Sequence, residues 1–306
     1  MGRKVIVIVG ATCSGKTVLG LKLAELLNSE IISADSRQIY KYLDIGTAKP
    51  SIEELSKIKH HFIDYLGPEE EYNVSRYEKE ALIVIDSLTK LNKTPIIVGG
   101  SGLYIRSVVD GIFDNVETDE ILRLRLKKTI EDYGPEQLLE QLKNVDPESA
   151  AKMLPQNWKR IMRALEVFYL TGKTITEWQK EYKRNIDLEF EIYGLCWNRE
   201  ILYKMIEKRV DNMIKFGLVD EVQKLLKKGY SKELNSLNTV GYKEIFDYLD
   251  NTILLDRAVE LIKRNTRHYA KRQLTWFNAD KRINWVKVTG IKDIERLAEK
   301  IAGSKN

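Results

Sequence analysis

Eight residues near the start of the chain carry the clearest chemistry. Gly10-Ala11-Thr12-Cys13-Ser14-Gly15-Lys16-Thr17 fits the pattern GxxxxGK[ST]. The glycines let the backbone wrap an anion, while the amides and the N-terminus of a following helix point at it. Lys16 would neutralise terminal phosphate oxygens, and Thr17 would hold Mg²⁺. The run Val5 to Val9 ahead of the loop is apolar and β-branched, and Leu19, Leu23, Leu26 and Leu27 recur behind it at helical spacing. A buried strand before and an amphipathic helix after are the context such a cradle requires. The cradle selects chained phosphates and leaves their owner open. An ATPase or small-molecule kinase is the common use, whereas a GTPase is disfavoured because no NKxD motif occurs.

Ligands of open parallel sheets sit beyond the carboxyl ends of the strands. Two polar residues fall there. Asp35 follows Ile31-Ile32, and Ser101 follows Ile96-Ile97-Val98 through Gly99-Gly100. Asp35 has two readings: a general base or Mg²⁺ partner acting through water, and a turn or helix-cap former. Ser101 likewise faces the phosphates or caps the next helix. A basic stripe runs from Arg257 to Arg272, where Arg257, Arg264 and Lys271 share a seven-residue spacing and Trp276 and Phe277 close the segment. A basic face beside aromatics suits a phosphate backbone and unstacked bases, and equally suits plain solvation. The same two readings apply to Lys159, Arg160 and Arg163 after Trp158. His60 and His61 have no partner at metal-ligand spacing and read as loop or packing residues.

These residues must be held by an α/β core: a parallel sheet flanked by helices on both faces, of P-loop type. Strands are expected at Val5–Val9, Ile31–Ile32, Pro95–Val98, Phe190–Trp197 and Ile283–Val288. Helices are expected at Arg76–Leu91, Glu200–Phe216, Leu218–Lys228 and Asp256–Phe277. From 114 to 184 only helical patterns occur, broken at Gly134-Pro135, Asp146-Pro147 and Pro155. The division is therefore a first core part at 1–113, a helical insert at 114–184 and the rest of the core at 185–306. The 306 residues are 43% hydrophobic, enough for a real core, and a net charge of +5 permits a nucleic-acid partner without demanding one. Two well-separated cysteines, Cys13 and Cys196, suggest neither disulfides nor zinc and fit a reduced, cytoplasmic setting. The first apolar run is too short for a membrane span or signal segment, so no membrane partner is expected.

Taken together the motifs resemble the bacterial tRNA dimethylallyltransferases. The resemblance is carried by GATCSGKT, by SADSRQIYKYLDIGTAKP from Ser33 to Pro50, by IIVGGSGLYI from Ile96, by RALEVFYLTGKTIT from Arg163, by TVGYKE from Thr239 and by AKRQLTWF from Ala270. It implies that Gly10 to Thr17 hold the diphosphate of dimethylallyl diphosphate, with Mg²⁺, and that the acceptor is the adenosine at position 37 of tRNA, flipped from the anticodon loop. Asp35 matches the residue that takes a proton from the exocyclic amine. Ser101 matches a position, usually threonine, that hydrogen-bonds near the adenine. Arg209 matches an arginine linked to the diphosphate. Contacts to tRNA carry over to Asp35, Ser36, Arg37 and Gln38, to Ser101 and Arg123, to Lys159, Arg160, Ile161, Met162 and Arg163, and to Asn238, Thr239, Val240, Gly241, Tyr242 and Lys243. Lys271 and Arg272 fit the same role, and the helical insert would clamp the anticodon stem-loop. A monomer is expected. The chain departs from the family pattern at Ala11, where proline is common, and at Met205, where an arginine is often found.

Overall fold

A computed structural model describes residues 3–112, 116–181, 184 and 186–303. Among the described residues six parallel strands form one sheet: β1 (Arg3–Gly10), β2 (Ile31–Ala34), β3 (His60–His61), β4 (Ile96–Gly99), β5 (Leu188–Trp197) and β6 (Asn284–Val288). Their order is β3-β2-β4-β1-β5-β6. β1 therefore lies in the interior, and its apolar run feeds two cores by the period-2 alternation of a strand. Val5, Val7 and Val9 pack with Ala81, Ile85, Val108, Ile262 and Phe277. Ile6 and Ile8 pack on the other face with Leu19, Leu23, Leu297 and Ile301. Each such fully buried side chain contributes roughly 1.5–3 kcal/mol. The α/β sheet with helices on both faces is the architecture expected from the sequence.

Two elements depart from that expectation. His60 and His61 form an edge strand, pairing with Ile31 and Ile32 of β2, and His61 Nε2 lies 2.8 Å from the Glu30 carboxylate. A final helix, Ile291–Gly303, seals one face of the sheet with Ile294, Leu297, Ala298 and Ile301. No helix among the described residues is long and apolar enough to cross a membrane.

The chain divides into two compact units, one of 1–109 with 187–306 and one of 110–186. The sequence division fell at 114 and 184; residue 114 lies outside the described residues. Within the second unit the helices are Glu120–Tyr133, Pro135–Val145, Pro147–Ala150, Trp158–Thr171 and Ile175–Glu181, with a 3₁₀ turn at Pro155–Asn157. Proline occupies the first helical position at 135 and 147, where its missing N–H is not needed. Leu126, Leu138, Leu142, Ile161 and Leu165 make the unit's core. Beside it Glu166, with 0% exposure, accepts from Arg123 at 2.8 and 3.1 Å, from Arg163 at 2.6 Å and from the Asp119 amide at 3.1 Å. Burial pushes its carboxyl pKa up, but the two guanidinium groups and the amide outweigh burial and hold it below the usual range.

Removing that buried carboxylate takes the acceptor from the Arg123 guanidinium and the Asp119 amide and one ion-pair partner from Arg163. Glu166→Ala should therefore destabilise the helical unit by about 3–5 kcal/mol, the cost of breaking a buried pair from one side. Chemical denaturation followed at the unit's own tryptophans, Trp158 and Trp178, measures it. A change below about 1 kcal/mol would return the trio to the rank of a surface ion pair.

Candidate active site

The phosphate loop joins the end of β1 to the helix Lys16–Leu26. Gly15 caps that helix at φ 88°, a left-handed conformation that only glycine adopts freely. Cys13 at φ 64° shares the region without that freedom. Three contacts fasten the loop: the Ser14 amide donates to Ala11 O at 3.2 Å, Trp197 Nε1 donates to Ser14 O at 2.9 Å, and the Thr12 amide donates to Gln273 Oε1 at 2.8 Å. Lys16 Nζ folds back on Ala11 O at 2.7 Å. Burial, helped by the positive charge of Arg209, lowers the Lys16 amine to about 8, against a smaller opposing pull from Asp35. Arg209 donates to Thr12 Oγ1 at 3.3 Å, which places it at the loop. The cradle thus gathers two cations and a helix N-terminus at one point. It suits a multiply charged anion.

Asp35 stands at the end of β2 and serves as a turn former: its Oδ1 accepts from the amides of Arg37 at 2.8 Å and Gln38 at 3.3 Å. Among the described residues its Oδ2 accepts no hydrogen bond, so the turn leaves one oxygen for other work. The Ser101 side chain links two strand ends and does not cap the helix that follows it. Its Oγ accepts from the Ser36 amide at 3.0 Å and bonds Ser36 Oγ at 3.3 Å, tying the end of β4 to the end of β2.

Thr12, Asp35 and Arg209 border one cavity of about 450 Å³. Ser36, Arg37, Asn238, Thr239, Val240, Gly241, Lys243 and Arg272 line it too, so the structure unites residues drawn from four separated sequence motifs. Gly46, Thr47 and Ala48 add another stretch of its lining. Glu221 holds that segment, accepting from the amides of Asp44, Ile45 and Gly46 at 3.1, 2.7 and 3.1 Å and from Tyr242 Oη at 2.6 Å. Val210, Met213 and Ile262 supply apolar lining.

Several expected contact residues have other duties. The Gln38 side chain donates to Thr47 O and Ala48 O, and Arg37 donates to Asn235 O at 2.5 Å, so both hold loops. Tyr242 is fully buried, which removes its side chain from any RNA surface. The helical unit shows the same pattern. Ile161 and Met162 belong to its core, and Arg123 and Arg163 are committed to Glu166. Lys159 and Arg160 are exposed and, with Lys152, Gln179 and Lys180, line a cavity of about 420 Å³ in that unit.

The helix Leu255–Asn278 divides its basic residues between two faces. Arg257, Arg264 and Lys271 do share an exposed face, but the face that meets the cavity is offset from it and carries Ile262, Asn265, Tyr269 and Arg272. Three of the stripe's cations are paired: Arg257 with Glu260, Lys263 with Asp211 and Arg267 with Glu207. The Arg272 guanidinium lies 5.8 Å from the centre of the Tyr269 ring. Tyr269, Gln273, Asn265 and Glu244 are site residues that the sequence reading passed over. The signal available for Asn265, Tyr269 and Arg272 was their four-then-three spacing, offset by one residue from the stripe of cations.

Residues 38–280 match the family model described as IPP transferase. A tRNA dimethylallyltransferase of Caldanaerobacter subterraneus subsp. tengcongensis is 48% identical over 305 residues, covering 98% of this chain and 97% of the relative. One from Pelotomaculum thermopropionicum is 45% identical over 298 residues, covering 97% and 95%. Among solved structures, the full-length tRNA isopentenylpyrophosphate transferase of Bacillus halodurans superposes with a TM-score of 0.73 at 37% identity, over 98% of this chain and 96% of that one. A eukaryotic dimethylallyltransferase acting on tRNA superposes with a TM-score of 0.83 at 28% identity, over 98% and 77%.

The depressed Lys16 amine sets a pH dependence. An anion in the cradle favours the charged amine, so binding above about pH 8 must take up a proton. Affinity for inorganic pyrophosphate should fall as pH rises from 7 to 9.5, relative to Lys16→Arg, which stays charged throughout and cancels the ligand's own titration. Calorimetry in buffers of different ionisation heat measures both affinity and proton uptake. Parallel affinity curves for the two proteins, with equal uptake, would refute the assignment.

Proposed function

The chain belongs to the IPP transferase family, and from that premise we propose that it transfers a dimethylallyl group from dimethylallyl diphosphate to the exocyclic amine of adenosine 37 in tRNA, releasing diphosphate. One observation carries this reading: the phosphate-loop residue Thr12 with its partner Arg209, and Asp35 with one carboxylate oxygen uncommitted, line a single cavity. Donor and acceptor can meet there.

The chemistry needs both sides. An exocyclic adenine amine is a weak nucleophile because its lone pair is delocalised into the ring. Asp35 Oδ2 takes its proton as the carbon–nitrogen bond forms. The departing diphosphate gains negative charge as the allylic carbon–oxygen bond breaks. Lys16, Arg209 and the loop amides stabilise that charge, each such group typically worth on the order of 10²–10³ in rate. Mg²⁺ is the proposed cofactor. It takes oxygen donors and commonly keeps few protein ligands alongside phosphate oxygens; the Thr17 hydroxyl would supply one, with Asp35, whose charge is felt at Lys16, the carboxylate at the loop. When bound, it would neutralise charge on the diphosphate.

The acceptor side uses the rest of the cavity. Ser36, Asn238, Thr239, Gly241, Lys243 and Arg272 surround the space into which a flipped base would enter, and flipping costs least for a base already in a loop. Lys159 and Arg160 in the helical unit, with Lys271 on the long helix, offer exposed cations for the phosphate backbone. Thr12, Asp35 and Arg209 come from one chain, so the proposed reaction calls for no second copy. A cytoplasmic enzyme is the matching setting.

Incubation with dimethylallyl diphosphate, Mg²⁺ and a tRNA bearing adenosine at position 37 should yield isopentenyladenosine. Rapid ATP hydrolysis without prenylated RNA would point to a kinase-like use of the loop instead. Asp35 permits a sharper test. Asn at this position keeps the oxygen that accepts from Arg37 and Gln38, so Asp35→Asn preserves the turn and removes only the base. Turnover should fall by roughly 10²–10⁴, as loss of a general base does, with tRNA affinity retained. Near-normal turnover in Asp35→Asn alongside an inactive Asp35→Ala would make Asp35 a turn former only.

A further inference from the structure

The helix Leu255–Asn278 turns one polar side chain inward, between the glycine turns that end β1 and β4. Gln273 is 6% exposed. Its Oε1 accepts from the Thr12 amide at 2.8 Å, and its Nε2 donates to Gly100 O at 3.0 Å. The partners fix which end is which, because an amide N–H only donates and a carbonyl only accepts. Gly100 makes the contact possible: a Cβ there would lie 2.2 Å from Gln273 Nε2. The second glycine of Gly99-Gly100 is thus explained by a side chain 173 residues further along.

The bond has a consequence for the cradle. Thr12 belongs to the phosphate loop, yet its amide is given to Gln273 and not to the anion site. The orientation of Thr12 also places its hydroxyl, on which Arg209 rests at 3.3 Å. Gln273 therefore controls, through Thr12, where the loop and Arg209 sit. Its own helix carries Tyr269 and Arg272 to the same cavity.

We infer that Gln273 is a positioning residue for the diphosphate, clamping Thr12 against Gly100 so that the loop and Arg209 are held in register for the donor. Its kinetic consequences rest on the transfer reaction proposed above; its binding consequence does not. The test uses the full-length chain with Gln273→Met, Gly100→Ala and the double variant. The probe is inorganic pyrophosphate with Mg²⁺, titrated calorimetrically at a temperature where circular dichroism finds each variant folded. Each single variant should weaken pyrophosphate binding about tenfold, the scale of one lost hydrogen bond. The double variant should be no weaker than the worse single, since both changes break one contact. In turnover assays KM for dimethylallyl diphosphate should rise similarly, with KM for tRNA unchanged within about twofold.

Pyrophosphate affinity equal to that of the unaltered protein, with only the melting temperature lowered, would overturn the inference and leave Gln273 a structural strut. Additive losses in the double variant, or equal rises in both KM values, would do the same. If one single variant does not fold, the other carries the comparison, and failure of both to fold would assign the contact to stability alone. An unaltered protein that binds pyrophosphate but prenylates no RNA would defeat the proposed function and leave this inference to the binding result.

Discussion

Two positive charges, Lys16 and Arg209, are held near each other in a partly dehydrated loop at the carboxyl end of β1. Their mutual repulsion adds to the desolvation of the Lys16 amine and depresses it from 10.5 to about 8. In the free protein this is a penalty, fully present below about pH 8 and lost as the pH rises through that value toward 10.5. An anion with two or more charges turns the same arrangement into attraction. The surrounding architecture keeps the charges in place. β1 lies between β4 and β5, Trp197 at the end of β5 holds the loop through Ser14, and Gln273 fixes Thr12.

Several ionisable side chains have duties that residue type alone does not disclose. Asp35 uses one oxygen for a turn, so in the proposed reaction the turn fixes in advance which oxygen would take the proton. Arg123 and Arg163 look like RNA contacts in a basic helical segment, yet both serve a carboxylate buried in that segment's own core. Glu221 sits on a surface helix but gathers three successive backbone amides, giving a stretch of cavity lining its shape. In each case a charge is used where hydrogen-bond donors converge, and an unpaired buried group would be costly.

The sequence disclosed those parts of the molecule whose physics is local. β1 and β4 are apolar runs because both faces are covered, and the phosphate loop announces itself because its amides and lysine lie within eight residues. β3 stayed hidden because His60-His61 is two residues long and is a strand only by pairing with β2. The closing helix Ile291–Gly303 did carry a readable spacing at Ile294, Leu297, Ala298 and Ile301, which went unread. Gln273 was beyond reach, since an amide 261 residues from Thr12 has no meaning until the chain is folded. The seven-residue cation spacing on the long helix picked out the solvent face, because periodicity shows that residues share a face without showing what the face meets. The family resemblance gave runs of contact residues, but a run on a helix always includes inward positions such as Ile161, Met162 and Tyr242.

The brevity of β3 also bears on how copies of this chain behave toward one another. An outermost strand normally offers a row of unspent amides and carbonyls onto which another chain can dock. Here that margin is two histidines long, and Ile58 O and Glu30 already engage their rings. So short a border gives an incoming strand too few rungs to climb, and stacking of sheets end to end finds no foothold on that side.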